Sequence, residues 1–97
     1  MTQRLANRRI LLTGVSRGVG LETARVLLRE GADVLGVARD AARLEQAGRE
    51  LTELAPGRFE GLCVELGAPG FDERVAAAVQ QRWGALDVLL NNAGVML

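Results

Sequence analysis

Short apolar runs alternate with longer amphipathic stretches along the whole chain, and this alternation is the feature that most constrains its fold. The apolar runs have the length of strands and fall at residues 9–13, 33–38, 59–66 and 86–90. Between them lie stretches of helical periodicity, at roughly residues 18–30, 40–54 and 71–83. Strands separated by helices of this length predict parallel pairing with right-handed crossovers. We therefore predict an α/β fold of element order βαβαβαβ, with a four-stranded parallel sheet in strand order 3-2-1-4.

Each predicted helix has an apolar stripe that is expected to face the sheet. The stripe residues are Val19, Thr23, Val26 and Leu27 in the first helix, Leu44, Ala47, Leu51 and Leu54 in the second, and Phe71, Val75, Val79 and Trp83 in the third. Asp40 is expected to cap the start of the second helix, and Gly31 to end the first. The second and fourth strands are almost wholly apolar, which is typical of strands buried on both faces.

The composition indicates one globular domain and excludes several classes of function. The 97 residues include 12 acidic and 12 basic side chains, so no excess of positive charge suggests a nucleic acid partner. All the basic residues are Arg, and the absence of Lys, His and Tyr removes the usual general acids and bases. We predict no catalytic residues and no metal site. No apolar run is long enough to span a membrane, and we predict a cytoplasmic protein.

Cys63 is the only cysteine, so it has no partner for an intrachain disulfide. It lies in the apolar run Leu62-Cys63-Val64. We expect a buried strand residue there, with a redox role as the alternative.

A glycine-rich turn connects the first strand to the first helix. Gly14, Gly18 and Gly20 follow the pattern G-x-x-x-G-x-G. The first glycine permits a tight turn, the second lets the backbone approach a pyrophosphate, and the third lets the helix pack closely on the sheet. The N-terminus of that helix offers unpaired N–H groups to phosphates. Because it joins a strand to a helix, this turn favours dinucleotide binding by a partial Rossmann fold, with a plain structural turn as the alternative.

The end of the second strand indicates which dinucleotide is bound. An acidic side chain at this point usually contacts the ribose 2′-hydroxyl. Here Ala38 occupies that position, and Arg39 follows with a guanidinium suited to a phosphate. Arg17 in the glycine turn is placed to reach the same 2′-phosphate. NADP(H) is therefore favoured over NAD(H), although Asp40 would serve the hydroxyl if the strand were one or two residues longer.

Two motifs together resemble those of the short-chain dehydrogenases/reductases of the classical type. They are Thr13-Gly14-x-x-x-Gly18-x-Gly20 and Asn91-Asn92-Ala93-Gly94, with Trp83-Gly84 and Leu86-Asp87-Val88-Leu89-Leu90 leading into the second. Their separation is also similar to that in the family, and the resemblance covers essentially the whole chain. It implies an NADP-dependent oxidoreductase that transfers a hydride between the cofactor and a carbonyl or alcohol.

The resemblance also implies a set of cofactor-binding residues. They are Gly14, Ser16, Arg17, Gly18, Val19, Gly20, Arg39, Glu65, Asn91, Ala93 and Gly94. Residues of the glycine turn would surround the pyrophosphate and the adenosine ribose, and Glu65 matches a position, usually Asp, that contacts the adenine ring. The backbone of Asn91, Ala93 and Gly94 would line the cofactor site, while Asn92 would stabilise the central sheet. A polar strand end that satisfies neighbouring backbone groups is the alternative for the two asparagines.

The departure from the family lies in its catalytic groups. Family members use a Tyr, a Lys four residues later, a Ser and a further Asn, all downstream of the second motif. The sequence contains no Tyr and no Lys, so residues 1–97 are expected to be the N-terminal part of the cofactor-binding domain, without its catalytic half. A stand-alone nucleotide-binding module and a structural or interaction fragment are the alternatives. Within residues 1–97 the fourth strand is expected to be an open edge with an exposed apolar patch, and a structural or interaction fragment would self-associate through this edge.

Overall fold

The computed structural model describes residues 4–16, 18–65 and 67–91, which form a four-stranded parallel sheet with helices on both faces. The strands are β1 (Arg9–Thr13), β2 (Asp33–Ala38), β3 (Phe59–Cys63) and β4 (Val88–Asn91). The helices are α1 (Gly18–Arg29), α2 (Ala41–Leu54) and α3 (Phe71–Arg82). The strand order is β3-β2-β1-β4, so the predicted fold class, element order and topology are confirmed.

The two faces of the sheet are covered by different helices. Ile10 and Leu12 of β1 pack in one cluster with residues of α1 and α2, whereas Leu11, between them, packs in a second cluster with Val75 of α3. This division follows from the period of two along a strand. β2 is buried over five of its six residues, as expected for a strand covered on both faces.

The predicted stripe of α1 is only partly correct, because Leu27 packs against the core cluster but the two valines do not. Val19 and Val26 are exposed, by 73% and 46%, whereas Gly20, Ala24 and Leu28 are buried. The buried residues are spaced four apart, so they share one face of the helix. Because two of the three are small, α1 approaches the sheet more closely than a stripe of valines would allow. In α2 the predicted Leu44, Ala47 and Leu51 are buried, but Leu54 is exposed.

The third helix packs as the sequence predicts. Val75 is buried, and Phe71, Val79 and Trp83 are half-buried against the same cluster. α1 and α3 end slightly earlier than predicted, at Arg29 and Arg82.

Both predicted helix boundaries with a specific capping residue are confirmed. The N–H of Gly31 donates to the carbonyl of Leu28 at 3.1 Å, and the N–H of Ala32 donates to that of Leu27 at 3.0 Å, which closes the end of α1. Asp40 precedes α2, and its Oδ1 accepts the N–H of Arg43 at 3.1 Å. Asp40 is therefore the N-cap of α2.

β3 is shorter than predicted, because β2, with which it pairs, ends at Ala38. The last pair in their ladder is Ala38 with Cys63, and the N–H of Val64 still donates to the Ala38 carbonyl at 3.0 Å. Cys63 lies in the strand as predicted, but its side chain is exposed, so the prediction of a buried thiol is wrong. Cys63 belongs to the strand at the edge of the sheet, on which residues 60, 61 and 63 are exposed.

β4 begins later than predicted, and it is less buried than β2 although both strands are mainly apolar. Its pairing with β1 begins at Val88 opposite Ile10, and just before it the Asp87 carboxylate accepts the N–H of Arg9 at 2.8 Å and its Nε–H at 3.0 Å. This hydrogen bond from the guanidinium is the main reason why the pKa of Asp87 is lowered. Of the β4 residues, Leu90 is half-buried and the other three are exposed.

An apolar patch is exposed beside β4, as the sequence predicts. Leu89 is 57% exposed, and it lines a groove of about 390 Å³ between β4 and α3, together with Leu86, Phe71 and Val79. Self-association through this edge stays a prediction. None of the helices in the described part of the chain is long and apolar enough to cross a membrane.

Replacing Gly48 by alanine is expected to stabilise the protein by about 0.5–1 kcal/mol, because glycine lowers helix stability by this amount. Gly48 lies inside α2, and an added Cβ would meet Phe59 at 3.7 Å, an ordinary contact distance. The measurement is the free energy of unfolding in urea. Gly36→Ala is the contrasting variant, since its Cβ would come within 2.8 Å of Val15 Cγ1 and 2.9 Å of Phe59 Cε1. An unchanged or lowered stability for Gly48→Ala would contradict the expectation.

Candidate cofactor site

The glycine turn lies directly beside the end of β2. The N–H groups of Gly14 and Val15 both donate to the carbonyl of Val37, at 2.8 and 3.3 Å. Gly14 has φ +72°, a conformation that glycine adopts readily and other residues rarely do. These bonds fix the turn two residues before Arg39, so the two sequence features assigned to the cofactor are brought together.

Val15 anchors the turn in the core, and the sequence reading did not single it out. Its side chain is fully buried, and Gly36 of β2 leaves the space that Val15 and Phe59 occupy. A glycine inside an otherwise apolar strand indicates a close approach of another group. Gly36 was therefore the signal from which this contact could have been inferred.

The turn leads into an open helix start. Gly18 is the first residue of α1 and has φ +60°, and a Cβ added there would meet nothing within 4 Å. Val19, beside it, is exposed, whereas Gly20 is buried against the sheet as predicted. The first turn of α1 has no acidic residue, so no side chain within that turn offsets the partial positive charge of this helix end.

The remaining described candidates lie along the same edge of the sheet, where all four parallel strands end. Thr13 pairs in register with Val37 on one side and with Asn91 on the other, and the Thr13 hydroxyl donates to Asn91 Oδ1 at 2.9 Å. This bond supports a structural role for the Asn91 side chain. Glu65 follows β3 two residues after its end and is exposed. Arg17, Asn92, Ala93 and Gly94 lie outside the described residues.

Arg39 and Asp40 differ in the hydrogen bonds and ion pairs of their side chains. Arg39 is exposed, and within residues 4–16, 18–65 and 67–91 its guanidinium makes no ion pair or hydrogen bond. Its backbone carbonyl accepts a hydrogen bond from the Cys63 thiol at 3.5 Å. Asp40, in contrast, caps α2 through Oδ1 and pairs with the Arg43 guanidinium through Oδ2 at 3.4 Å. Both its oxygens are therefore engaged within α2.

A polar groove of about 360 Å³ lies between the glycine turn and α2. Ser16 lines it from the turn, and Arg43, Gln46 and Glu50 line it from α2. Glu50 is paired with Arg25 of α1, and a hydrogen bond from that guanidinium is the main reason why the pKa of Glu50 is lowered. Among the described residues, no cluster of His, Cys, Asp or Glu could hold a metal ion.

Comparison with known proteins matches residues 8–97 to the family model of the short chain dehydrogenases. Human L-xylulose reductase is 41% identical over 93 residues, which are 96% of this chain and 34% of the reductase. The 3-beta-hydroxysteroid dehydrogenase of Comamonas testosteroni is 40% identical over 97 residues, all of this chain and 37% of that enzyme. The chain thus spans about a third of the length of these relatives.

Solved structures show the same architecture. The crystal structure of L-sorbose reductase from Gluconobacter frateurii, complexed with NADPH and L-sorbose, superposes with a TM-score of 0.88 at 34% identity, over 98% of this chain and 36% of that one. The Pseudomonas aeruginosa RhlG/NADP complex superposes with a TM-score of 0.83 at 35% identity, over 94% of this chain and 36% of that one.

Proposed function

The chain belongs to the short-chain dehydrogenase family, whose members bind a nicotinamide dinucleotide, and from this premise we propose that it forms the NADP(H)-binding portion of an oxidoreductase. The reaction proposed for the whole protein is hydride transfer between NADP(H) and a carbonyl or alcohol substrate. The single observation that carries the proposal is the anchoring of the glycine turn on the Val37 carbonyl, because it sets the phosphate-binding turn beside Arg39.

The geometry of the turn suits a pyrophosphate. Phosphate oxygens need close access to backbone N–H groups, and the empty space beside Gly18 permits that approach. The N-terminus of α1 adds its partial positive charge. In this proposal Gly14, Ser16 and Gly18 contact the pyrophosphate and ribose, Gly20 lets α1 pack closely, and the exposed Val19 covers the cofactor with apolar surface.

Three features at the end of β2 favour NADP(H) over NAD(H). Ala38 leaves no carboxylate at the usual place for ribose recognition. Asp40 is engaged as the cap of α2, and Arg39 is exposed. An exposed guanidinium suits a 2′-phosphate because it offers two parallel N–H donors. The NADPH and NADP bound by the two similar solved structures are consistent with this preference.

The remaining cofactor contacts are assigned by position. Glu65 would meet the adenine ring, Arg17 would join Arg39 at the 2′-phosphate, and the backbone of Asn91, Ala93 and Gly94 would line the site. A nicotinamide cofactor supplies the hydride when it is bound. A proton donor for the alkoxide must come from elsewhere, since the 97 residues contain no Tyr, Lys or His. We therefore expect this chain by itself to bind cofactor without turnover.

Titration of the purified protein with NADPH and NADH, followed by calorimetry, tests the proposal. Saturable binding that is tighter for NADPH is the expected result. Gly18→Ala is expected to weaken the binding of both cofactors by about tenfold or more, as for the loss of backbone hydrogen bonds to phosphate.

Gly57→Ala is the matched control for Gly18→Ala. Gly57 has φ +79° with nothing within 4 Å of an added Cβ, and it lies in the turn between α2 and β3, away from the proposed site. Both substitutions place a Cβ in a left-handed conformation, at a cost of about 1–2 kcal/mol. If both variants lose stability but bind cofactor equally, the glycine turn is not the phosphate site. If the folded protein binds neither cofactor, the proposed function is wrong.

A further inference from the structure

The first turn of α2 carries positive charge where a helix does not favour it. Asp40 is the N-cap, Arg39 precedes it, and Arg43 is the third helical residue, while the turn itself has no acidic side chain. The N-terminus of a helix has a partial positive charge, and within residues 39–43 the Asp40 carboxylate offsets only one of the two cations. One net positive charge therefore remains beside the positive helix end, and this favours the approach of a further anion.

Arg43 faces the same groove as the glycine turn. It lines the groove between the turn and α2, with Ser16 on the opposite side. In the proposed function the adenosine ribose lies between the turn and Arg39. A phosphate on its 2′-oxygen would therefore stand at the mouth of this groove, beside Arg43.

The Asp40 carboxylate is the present partner of Arg43. Their ion pair is 3.4 Å long, and about half of each side chain is exposed to solvent. Such exposed pairs are weak, so a doubly charged phosphate can displace the carboxylate from the guanidinium. Asp40 would keep its other bond, to the Arg43 N–H, and α2 would stay capped.

The other charge in the groove does not oppose this arrangement. Glu50 lines the groove, but it is paired with Arg25, which also pairs with Glu22 at 2.7 Å. Arg29 of α1 also attracts the Glu50 carboxylate, so two cations of α1 offset the charges of Glu22 and Glu50.

From these observations we propose that Arg43 is a further specificity-determining residue, which exchanges Asp40 for the 2′-phosphate of NADP(H) when the cofactor binds. This inference rests on the proposed function, and it assigns to Asp40 the role of a counter-ion rather than that of a ribose ligand. Arg39 holds the phosphate from the end of β2, and Arg43 holds it from α2.

The first test is Arg43→Gln, with Arg49→Gln as the matched control. Arg49 lies on the same helix and pairs with Glu45 at 3.5 Å, in an i,i+4 pair that is more exposed than the pair of Arg43 with Asp40. Affinities for NADPH and NADH are measured by calorimetry, and 2′,5′-ADP and 5′-AMP serve as probes of the adenosine end alone. Arg43→Gln is expected to weaken the binding of NADPH and of 2′,5′-ADP by about tenfold, as for the loss of one charge-assisted contact. The affinities for NADH and 5′-AMP should stay within about twofold of their original values. Arg49→Gln should change neither.

Asp40→Asn tests the exchange separately, because asparagine is an equally good N-cap but has no charge. Because the competing carboxylate is removed, the affinity for NADPH is expected to rise by about twofold, which corresponds to the free energy of one exposed ion pair on a helix. The affinity for NADH should not change. The inference is overturned if Arg43→Gln has no more effect than Arg49→Gln, or if it weakens the binding of NADPH and NADH equally. It is also overturned if Asp40→Asn weakens the binding of NADH. An NADPH preference that depends on Arg39 would survive any of these results, so failure of the inference and failure of the proposed function are distinguishable.

Discussion

Arg39→Asp is expected to weaken NADPH binding by about 100-fold, the upper range for losing a hydrogen-bonded partner of a charged group. The guanidinium is exposed at the end of β2, and within the described residues it has no carboxylate partner. The substitution would remove the proposed donors to the 2′-phosphate and place a carboxylate close to it. The new carboxylate and the 2′-phosphate are both negative and repel each other, which lowers the affinity for NADPH further.

NADH binding should respond in the opposite direction. A carboxylate at the end of the second strand is the usual acceptor for the ribose hydroxyl of NAD(H). We expect the ratio of the two affinities to invert, while the free energy of unfolding changes little, because an exposed side chain without an ion pair contributes little to stability.

Arg74→Asp is the control for net charge. It makes the same change of charge on α3, which covers the opposite face of the sheet from α2, and Arg74 is also exposed. If Arg74→Asp weakened NADPH as much as Arg39→Asp, the effect would be a long-range attraction between protein and cofactor. It would then vanish at high salt, since exposed charges are screened over about 10 Å at 0.1 M ionic strength. A local contact with Arg39 requires that the two variants differ.

The topology was predictable because it depends on the order and spacing of apolar runs. β1 and β2 have the bounds read from the sequence, and both are bounded by residues with strong local preferences, Gly14 after β1 and Gly31 before β2. The connection rules then leave few alternatives for parallel strands joined by helices. The described site residues share the carboxyl edge of the sheet for the same reason, since parallel strands all end there.

Burial was harder to predict, because it depends on what each residue packs against. β2 and β4 are both mainly apolar, yet β2 is buried and β4 is exposed, because β2 lies inside the sheet and β4 at its edge. Cys63 is exposed for the same reason on the opposite edge. Hydropathy alone does not distinguish an inner strand from an edge strand.

The prediction of the buried face of α1 failed for a different reason. The buried face contains Gly20 and Ala24, which add little hydrophobicity, whereas the exposed Val19 and Val26 add much. A stripe chosen by hydrophobicity is therefore rotated away from the buried face, and of its apolar residues only Leu27 packs against the core. The requirement that Gly20 face the sheet was already part of the glycine pattern, and spacings of four from it lead to Ala24 and Leu28.

Leu28→Ala tests directly which face of α1 packs on the sheet. It is expected to destabilise the protein by about 2–5 kcal/mol, the cost of truncating a fully buried leucine. Leu28 has no exposed surface and packs in the cluster that joins α1 to β1 and β2. A loss of this size is a large part of the total stability of a small domain, about 5–15 kcal/mol. Urea unfolding should show a lower midpoint with an unchanged slope.

Val26→Ala is the matched comparison, two residues earlier on the same helix. Its side chain is exposed, and alanine favours helix more than valine does, so the change in stability should stay within about 0.5 kcal/mol and tend towards stabilisation. If α1 instead packed its valines on the sheet, the order of the two stability losses would reverse. Val26→Ala would then be strongly destabilising, and Leu28→Ala would change the stability little. The face of α1 also determines which way the Gly18 end of the helix opens. A reversed order would therefore contradict both the packing of the core and the placement of the cofactor site.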